Sequence, residues 1–324
     1  MKALILKKYG LPNDLEFMEV AKPVPNDNEV LVKIHSASIN DWDWGLVRGK
    51  PYVIRLLYGL KKPKRNIIPG VDISGKIEAT GAKVSSFKTG DEVYCDLSEN
   101  GFGGFAEYVC IPENVLHRKP SNISYNDASA LPHAGILALQ GLVEVGKVKP
   151  GQRILINGAG GGVGTLAIQI LKSYGVKVAG VDRVEKLDLM KSLGYDKVLD
   201  YKKSDFTRTG DKYDLILDAK SNRPVFKYAR CLTKNGTYVT IGGSMYRLLE
   251  ILLLGSLISL FTHKKLRVLG LKPNNGLDQI TALVEEGRIN PVIDGPYGFD
   301  KIPELIQYFG EGRHVGKIIV EISK

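Results

Sequence analysis

The run Arg153-Ile-Leu-Ile-Asn-Gly-Ala-Gly-Gly-Gly-Val-Gly164 constrains this chain more than any other stretch. Arg153 to Asn157 is short and apolar and reads as a buried strand. Val163 to Tyr174 (VGTLAIQILKSY) reads as an apolar helix ended by Gly175. Glycines between a strand and a helix let the backbone turn tightly and approach a pyrophosphate, and the helix offers its free N–H groups and positive dipole end to the phosphates. Gly161, Gly162, Val163 and Gly164 are therefore candidate phosphate-binding residues. A glycine run alone is weak evidence; the strand before it and the helix after it supply the context that a dinucleotide site requires.

The next strand, Val176 to Asp182, ends in an acid. An acid there binds the adenosine ribose hydroxyls and disfavours a 2′-phosphate. Arg183 follows at once, and an arginine can hold that phosphate. The cofactor is read as NAD(P)H, with NAD(H) favoured because the acid ends the strand where the ribose would lie. Further along, Glu185 to Leu193 is a helix, and Lys197 to Asp200, Leu215 to Asp218, Thr237 to Ile241 and Arg267 to Leu271 are strands. Such alternation predicts a parallel sheet covered on both faces.

The first 120 or so residues have a different grammar. Glu29 to His35, Val71 to Ala79 and Glu92 to Cys95 are short strands, separated by Pro23-Val24-Pro25, Pro69-Gly70, Thr80-Gly81 and Thr89-Gly90-Asp91. That spacing predicts an all-β barrel or sandwich. Asn126 to Val145 is a helix that Pro132 kinks or divides. Leu277 to Gly287 is an amphipathic helix, and Pro291 to Ile322 reads as helix plus strand that completes the first domain.

At 324 residues the chain has room for two cores. Its three cysteines, Cys95, Cys110 and Cys231, are sparse and odd in number, which argues against a disulfide framework and fits a reducing compartment. The first residues lack an apolar stretch of signal-peptide length, so a cytoplasmic location is expected. The net charge of +10 includes two basic clusters, Lys61-Lys62-Pro63-Lys64-Arg65 and His263-Lys264-Lys265. No zinc finger or aromatic-basic signature accompanies them, so no nucleic-acid partner is expected.

Several stretches line up, in order, with one family. They are Ala37 to Asp43 (ASINDWD), Pro69 to Gly75 (PGVDISG), Gly104 to Val109 (GFAEYV), Asp127 to Pro132 (DASALP), Ala134 to Gln140 (AGILALQ), Ala159 to Gly164 and Gly316 to Val320 (GKIIV). The chain resembles the zinc-free quinone oxidoreductase and enone reductase branch of the medium-chain dehydrogenase/reductase superfamily. The resemblance implies an α/β fold: a GroES-like, β-rich catalytic domain over residues 1–122 and 272–324, and a Rossmann nucleotide-binding domain with a doubly wound parallel sheet over 123–271. It implies zinc-independent hydride transfer from NAD(P)H to a quinone or an α,β-unsaturated carbonyl, and a homodimer built by pairing the strand read as Arg267 to Leu271. It places Tyr201 near the adenosine end of the cofactor, Ile241 and Gly242 beside the nicotinamide, and Leu271 and Lys317 among the cofactor contacts. Asn40 and Tyr52 are the candidate catalytic residues. Asn40 would bond the nicotinamide ribose or the substrate carbonyl, or is simply a turn residue; Tyr52 would donate a proton or stack, or simply packs. Leu137 stands where the family commonly has threonine.

Zinc-dependent members of the superfamily need cysteine, histidine and acid at fixed places. This chain has Asn40-Asp41, Gly70-Val71-Asp72 and Ala134 there, so no metal is expected. His133 beside Ala134 is read as a packed or solvated side chain. Without zinc, nothing strongly polarises an alcohol, and reduction of an activated acceptor is the easier chemistry. The alternative is an NAD(P)-binding sensor or membrane-associated adaptor without significant turnover.

Tyr246 to Phe261 (YRLLEILLLGSLISLF) is unusually apolar. It reads as too short and interrupted to span a bilayer. A lid over a small lipophilic substrate, a dimer face, a buried helix, and a peripheral membrane contact over residues 246–265 remain open.

Overall fold

The computed structural model describes residues 1–323, which fall into two compact units, 1–133 with 273–323 and Ala134–Lys272. The first unit thus takes in the chain to His133, some ten residues further than the sequence boundary at 122.

The first unit is built on a sheet that is antiparallel except where Ile293–Gly298 runs parallel to Lys317–Glu321. Its order is Ile293–Gly298, Lys317–Glu321, Glu29–Ser38, Asp72–Thr80, Glu92–Asp96 and His117–Arg118, with Tyr108–Pro112 also paired to Glu29–Ser38. The β-rich expectation holds, and the C-terminal strand does complete this domain: Ile319 pairs with Ser38 and Val320 with Ala37. On the other edge of the same strand, Ser38 lies opposite Asp72. This double register brings residues 38–40, 72 and 317 together from three distant parts of the chain. Alternate residues of these strands, among them Val30, Val32, Ile34, Ile73 and Ile77, fill one core.

Two helices here were not read from sequence, Asp41–Arg48 and Val53–Tyr58. They are six to eight residues long and end at Gly49 and Gly59, so their periodic patterns are too short to detect. The helix expected over 126–145 is three pieces: Tyr125–Ser129, Pro132–Leu139 and a wider π-helical turn, Gln140–Val145. Pro132 opens the second piece, where its missing N–H costs nothing.

The second unit is a six-stranded parallel sheet in the order Lys197–Asp200, Lys177–Asp182, Arg153–Asn157, Tyr213–Asp218, Leu232–Thr240, Lys265–Val268. In chain order this is 3-2-1-4-5-6, the doubly wound Rossmann arrangement. Ile154, Leu155, Leu215, Ile216 and Val239 are buried to within a per cent, as strands covered on both faces require. The polar residues gather at the carboxyl ends: Asp200 is in register with Asp182, Asn157 with Asp218, and Asp218 with Thr240.

The apolar segment is one uninterrupted helix, Met245–Thr262, long and apolar enough by length and composition alone to cross a membrane. It joins two adjacent parallel strands, Leu232–Thr240 and Lys265–Val268, so it must return the chain along the sheet rather than cross a bilayer. Ile251, Gly255 and Ile258 face inward, with Gly255 tight against Leu266. The buried-helix reading is corrected: Tyr246, Leu249, Leu252, Leu253, Leu257, Leu260 and Phe261 are exposed along a single face. The last strand ends at Val268, which leaves Leu271 beyond it.

Candidate functional site

The glycine loop of the second unit has the shape its sequence predicts. The strand ends at Asn157, Gly158 takes φ 93°, and the helix Gly162–Leu171 starts behind Gly161. Gly164 sits directly on the loop: a Cβ there would lie 2.4 Å from the Ala159 backbone. Gly180 on the neighbouring strand is equally tight, with Met190 and Tyr195 within 2.8 Å of any added Cβ. The Tyr195 hydroxyl donates to the Gly164 carbonyl at 2.8 Å and ties the helix to the next layer. The loop therefore keeps helix N–H groups and strand ends close, which is the cradle a pyrophosphate fits.

Asp182 ends its strand as expected, but its carboxylate is already engaged. Oδ2 accepts the Gly160 N–H at 2.8 Å and Oδ1 accepts the Arg183 N–H at 2.9 Å. Lys186 Nζ lies 3.6 Å from Oδ1 with 4% of its side chain exposed, and its stem covers Gly160. Burial pulls the Lys186 ammonium below its usual range, with Asp182 opposing that shift and Lys220 adding to it. Lys186 escaped the sequence reading. Its only signal is the four-residue spacing from Asp182. Tyr201 is exposed, and its N–H donates to the Asp182 carbonyl. The Ile241 N–H donates to the carbonyl of Asp218, and the Gly242 N–H to the Thr240 hydroxyl. Leu271 is half-buried in the segment after the edge strand.

The first unit holds a buried polar cluster around Asp72, which is fully buried. Asp72 Oδ2 accepts from Ser38 Oγ at 2.9 Å, Asn40 Nδ2 at 3.1 Å and Lys317 Nζ at 3.1 Å. Its other oxygen accepts the His133 N–H at 3.0 Å. Lys317 Nζ also donates to Asn40 Oδ1 at 2.5 Å. Asn40 and Lys317, singled out separately in the sequence, thus bond each other. Both Asn40 amide hydrogens are directed inward, to Asp72 and Ser38, which leaves one lone pair of Oδ1. Tyr52 is elsewhere in the unit, 69% exposed, with the Arg55 guanidinium over its ring.

Two acids beside Asn40 matter more than the sequence suggested. Asp43 accepts the N–H groups of Asn40 and Gly70, each at 2.8 Å, and burial pushes its carboxyl up to about 7. His133, read as an ordinary packed histidine, is buried with both ring nitrogens in use, Nδ1 on Asp96 at 2.7 Å and Nε2 on Asp41 at 3.2 Å. Burial alone would discharge the ring; the Asp96 charge and the Asp41 hydrogen bond more than reverse that and hold its pKa well above the usual histidine value.

These contacts decide whether zinc fits. Among the described residues no group of three or more His, Cys, Asp and Glu is arranged to hold a metal ion. The residues at the expected ligand positions have other commitments. The Lys317 ammonium occupies the space between Asn40 and Asp72, and His133 has no free lone pair. The donor set does not fit a dication.

Two family models match, the alcohol dehydrogenase GroES-like domain over residues 26–121 and the zinc-binding dehydrogenase domain over 193–320. A 2-methylene-furan-3-one reductase of Solanum lycopersicum is 32% identical over 99% of this chain and 79% of its own length. An NADPH-dependent alkenal/one oxidoreductase of Arabidopsis thaliana is 30% identical over the same shares. Among solved structures, the quinone oxidoreductase from Coxiella burnetii superposes with a TM-score of 0.90 at 25% identity, covering 100% of this chain and 99% of that one. Taken with the paired β-rich and Rossmann units, these matches show that the chain belongs to the medium-chain dehydrogenase/reductase superfamily, in its quinone oxidoreductase and enone reductase branch.

Proposed function

We propose that this protein is a zinc-independent, NAD(P)H-dependent reductase that delivers a hydride to a quinone or an α,β-unsaturated carbonyl. The observation that carries the reading is the glycine loop, with Gly164 pressed on Ala159 at the start of an apolar helix, in a chain whose relatives are named for those reactions. Bound nicotinamide supplies the hydride. The chain's own residues bind and orient. The N–H groups of the helix start, Gly162, Val163 and Gly164, would hold the pyrophosphate, while the Gly160 and Gly161 N–H groups are taken up inside the loop. Asn40 is fixed by Ser38, Asp72 and Lys317, so any contact it makes through its remaining lone pair is preorganised. The proton that completes the reduction comes from solvent. The setting is a reducing, cytoplasmic one, in keeping with three unpaired cysteines.

The nicotinamide preference shifts once the geometry is considered. Asp182 favoured NAD(H) in the sequence, but its oxygens accept from Gly160 and Arg183 and face Lys186. With Lys186 balancing the Asp182 charge inside the loop, Asp182 no longer repels a 2′-phosphate, and Arg183, paired with the exposed Glu185 at 3.4 Å, is the group that can meet one, which supports NADPH.

The protein is further read as a homodimer. Lys265–Val268 is the open edge of the parallel sheet, and the exposed apolar face of Met245–Thr262 lies beside it. A twofold axis at that edge extends the sheet and brings the two helices together. A bilayer suits this helix less well: Leu266 faces it, so exposed Lys265 and Arg267 point to the opposite face of the sheet, and Lys264 donates to the Ala229 carbonyl. Leu253→Glu with Leu257→Glu is expected to give a monomer in sedimentation; a variant that stays dimeric removes the helix from the interface.

The deciding assay follows loss of NADH or NADPH absorbance against a panel of small quinones and enones, with and without chelator. Chelator-resistant turnover, faster with NADPH, is expected. Tight cofactor binding without turnover would establish the sensor or adaptor reading instead, and loss of activity on chelation would overturn the metal argument.

A further inference from the structure

Between Asp43 and Asp72 the chain carries seven lysines and arginines and no aspartate or glutamate, so most of the net charge of +10 is concentrated in 28 residues. The structure sorts six of these residues into two groups, with the seventh, Lys50, exposed between Arg48 and Arg55 in the chain. Arg48 and Arg55 are used locally, Arg48 over the Trp44 ring and Arg55 over Tyr9 with a bond to the Gly49 carbonyl. Lys61, Lys62, Lys64 and Arg65 are exposed on the loop after the helix Val53–Tyr58 and make no ion pair among the described residues. The helix just before them is apolar on its outer side. Val53, Leu56 and Leu57 project outward, with Leu60 beyond its end, while Ile54 is buried. Leu56, Leu57 and Leu60 are each more than 60% exposed.

We propose that residues 53–65 dock on an anionic lipid bilayer, with Leu56, Leu57 and Leu60 entering the headgroup–acyl boundary and Lys61, Lys62, Lys64 and Arg65 reading the negative headgroups. An aliphatic patch bordered by unpaired cations is what an interfacial segment requires. Nucleic acid offers the charge but has no counterpart for bare leucines, since it stacks on aromatic rings. A second copy of the chain would set one unpaired basic cluster against another. Only a surface both oily and anionic satisfies both halves of the segment. This inference stands apart from the proposed reaction, because docking is read without turnover. If both hold, docking brings the reductase to where lipophilic acceptors partition.

The test is flotation of the full-length protein with vesicles of phosphatidylcholine alone, or of phosphatidylcholine with about one quarter phosphatidylserine. Binding to the anionic vesicles is expected to exceed binding to the neutral ones about tenfold or more, and to fall away near 0.5 M salt, where the screening length is only about 4 Å. Lys62→Gln with Lys64→Gln is expected to weaken anionic binding about tenfold or more, on the scale of one surface charge per headgroup contact. Both side chains are exposed, so circular dichroism should match the parent. The insertion half is read by Leu57→Trp, whose emission should shift to the blue on anionic vesicles. Equal binding to neutral vesicles, no loss in the charge variant, or an unshifted Leu57→Trp emission on vesicles that do bind would each overturn the proposal. Preferential capture by RNA or by an acidic polypeptide would overturn it too.

Discussion

Asp72→Asn leaves the shape of the first unit intact and strands one charge. In the parent, the fully buried carboxylate faces a Lys317 ammonium that is itself 6% exposed, and accepts from Ser38, Asn40 and the His133 backbone as well. Removing one partner of such a pair costs about 3–5 kcal/mol, because the other is left as an uncompensated buried charge. The loss at pH 7 should therefore be about 3–5 kcal/mol. Lys317→Met leaves Asp72 with three neutral donors, and the double variant Asp72→Asn with Lys317→Met removes both charges, so it should be more stable than Asp72→Asn alone. Denaturant titration of the parent, both single variants and the double variant, followed by near-ultraviolet dichroism, reads all of this. Losses below about 1 kcal/mol, or single-variant losses that simply add in the double, would refute the coupling.

Three further outcomes follow from named contacts. Gly164→Ala puts a Cβ 2.4 Å from the Ala159 backbone, which must displace the helix start; NADPH affinity should fall about tenfold or more by fluorescence titration, and an unchanged affinity would remove the loop from the cofactor site. Lys186→Gln should weaken NADPH about tenfold while changing NADH little, and an equal effect on both would return the preference to Asp182. His133→Asn tests the imidazolium. Its folded pKa is raised, so its stabilisation is complete below the unfolded value of about 6.5 and lost as pH climbs through the higher folded value; the variant should be most destabilised relative to the parent near pH 6 and approach it in alkali. A gap that widens with pH would show that the ring is folded in its neutral form.

The parts of the molecule legible in the sequence are those whose signal is local. The strand Arg153–Asn157 was read to the residue, because a parallel strand buried on both faces is a continuous apolar run between turn residues. Lys197–Asp200 is an edge strand with only Asp200 buried, and its signal is instead its place in the strand–helix alternation after Gly194. The short helices Asp41–Arg48 and Val53–Tyr58 were invisible, since two turns give too few repeats for a period to stand out. The long helix Met245–Thr262 was misjudged for the opposite reason: its leucines go nearly all round, so its periodicity does not say which face is covered. The site divides the same way. The glycine loop is contiguous and was found. Asp182 was found as well, but whether its oxygens were free depended on Lys186 and the Gly160 N–H, which only the folded loop supplies.

The buried cluster shows most clearly what pairing adds to sequence. Asn40, Asp72, His133 and Lys317 are spread over 278 residues of chain, and none is a signal alone. They meet because Glu29–Ser38 is a central strand, with Asp72–Thr80 on one side and Lys317–Glu321 on the other. A buried carboxylate in such a place needs a cation. In a zinc-dependent relative that cation is a metal held by cysteine and histidine; here the geometry gives the Asp72 carboxylate the Lys317 ammonium and gives Asp96 the His133 imidazolium. Both are donors with no lone pair to lend, so the arrangement balances its own charge and offers nothing to a Lewis acid. Changing Ala134 to cysteine alone therefore cannot restore a metal centre. Asp72 must first be released from Lys317 and His133 from its two carboxylates, and the stability lost in Asp72→Asn is a measure of the first of those steps.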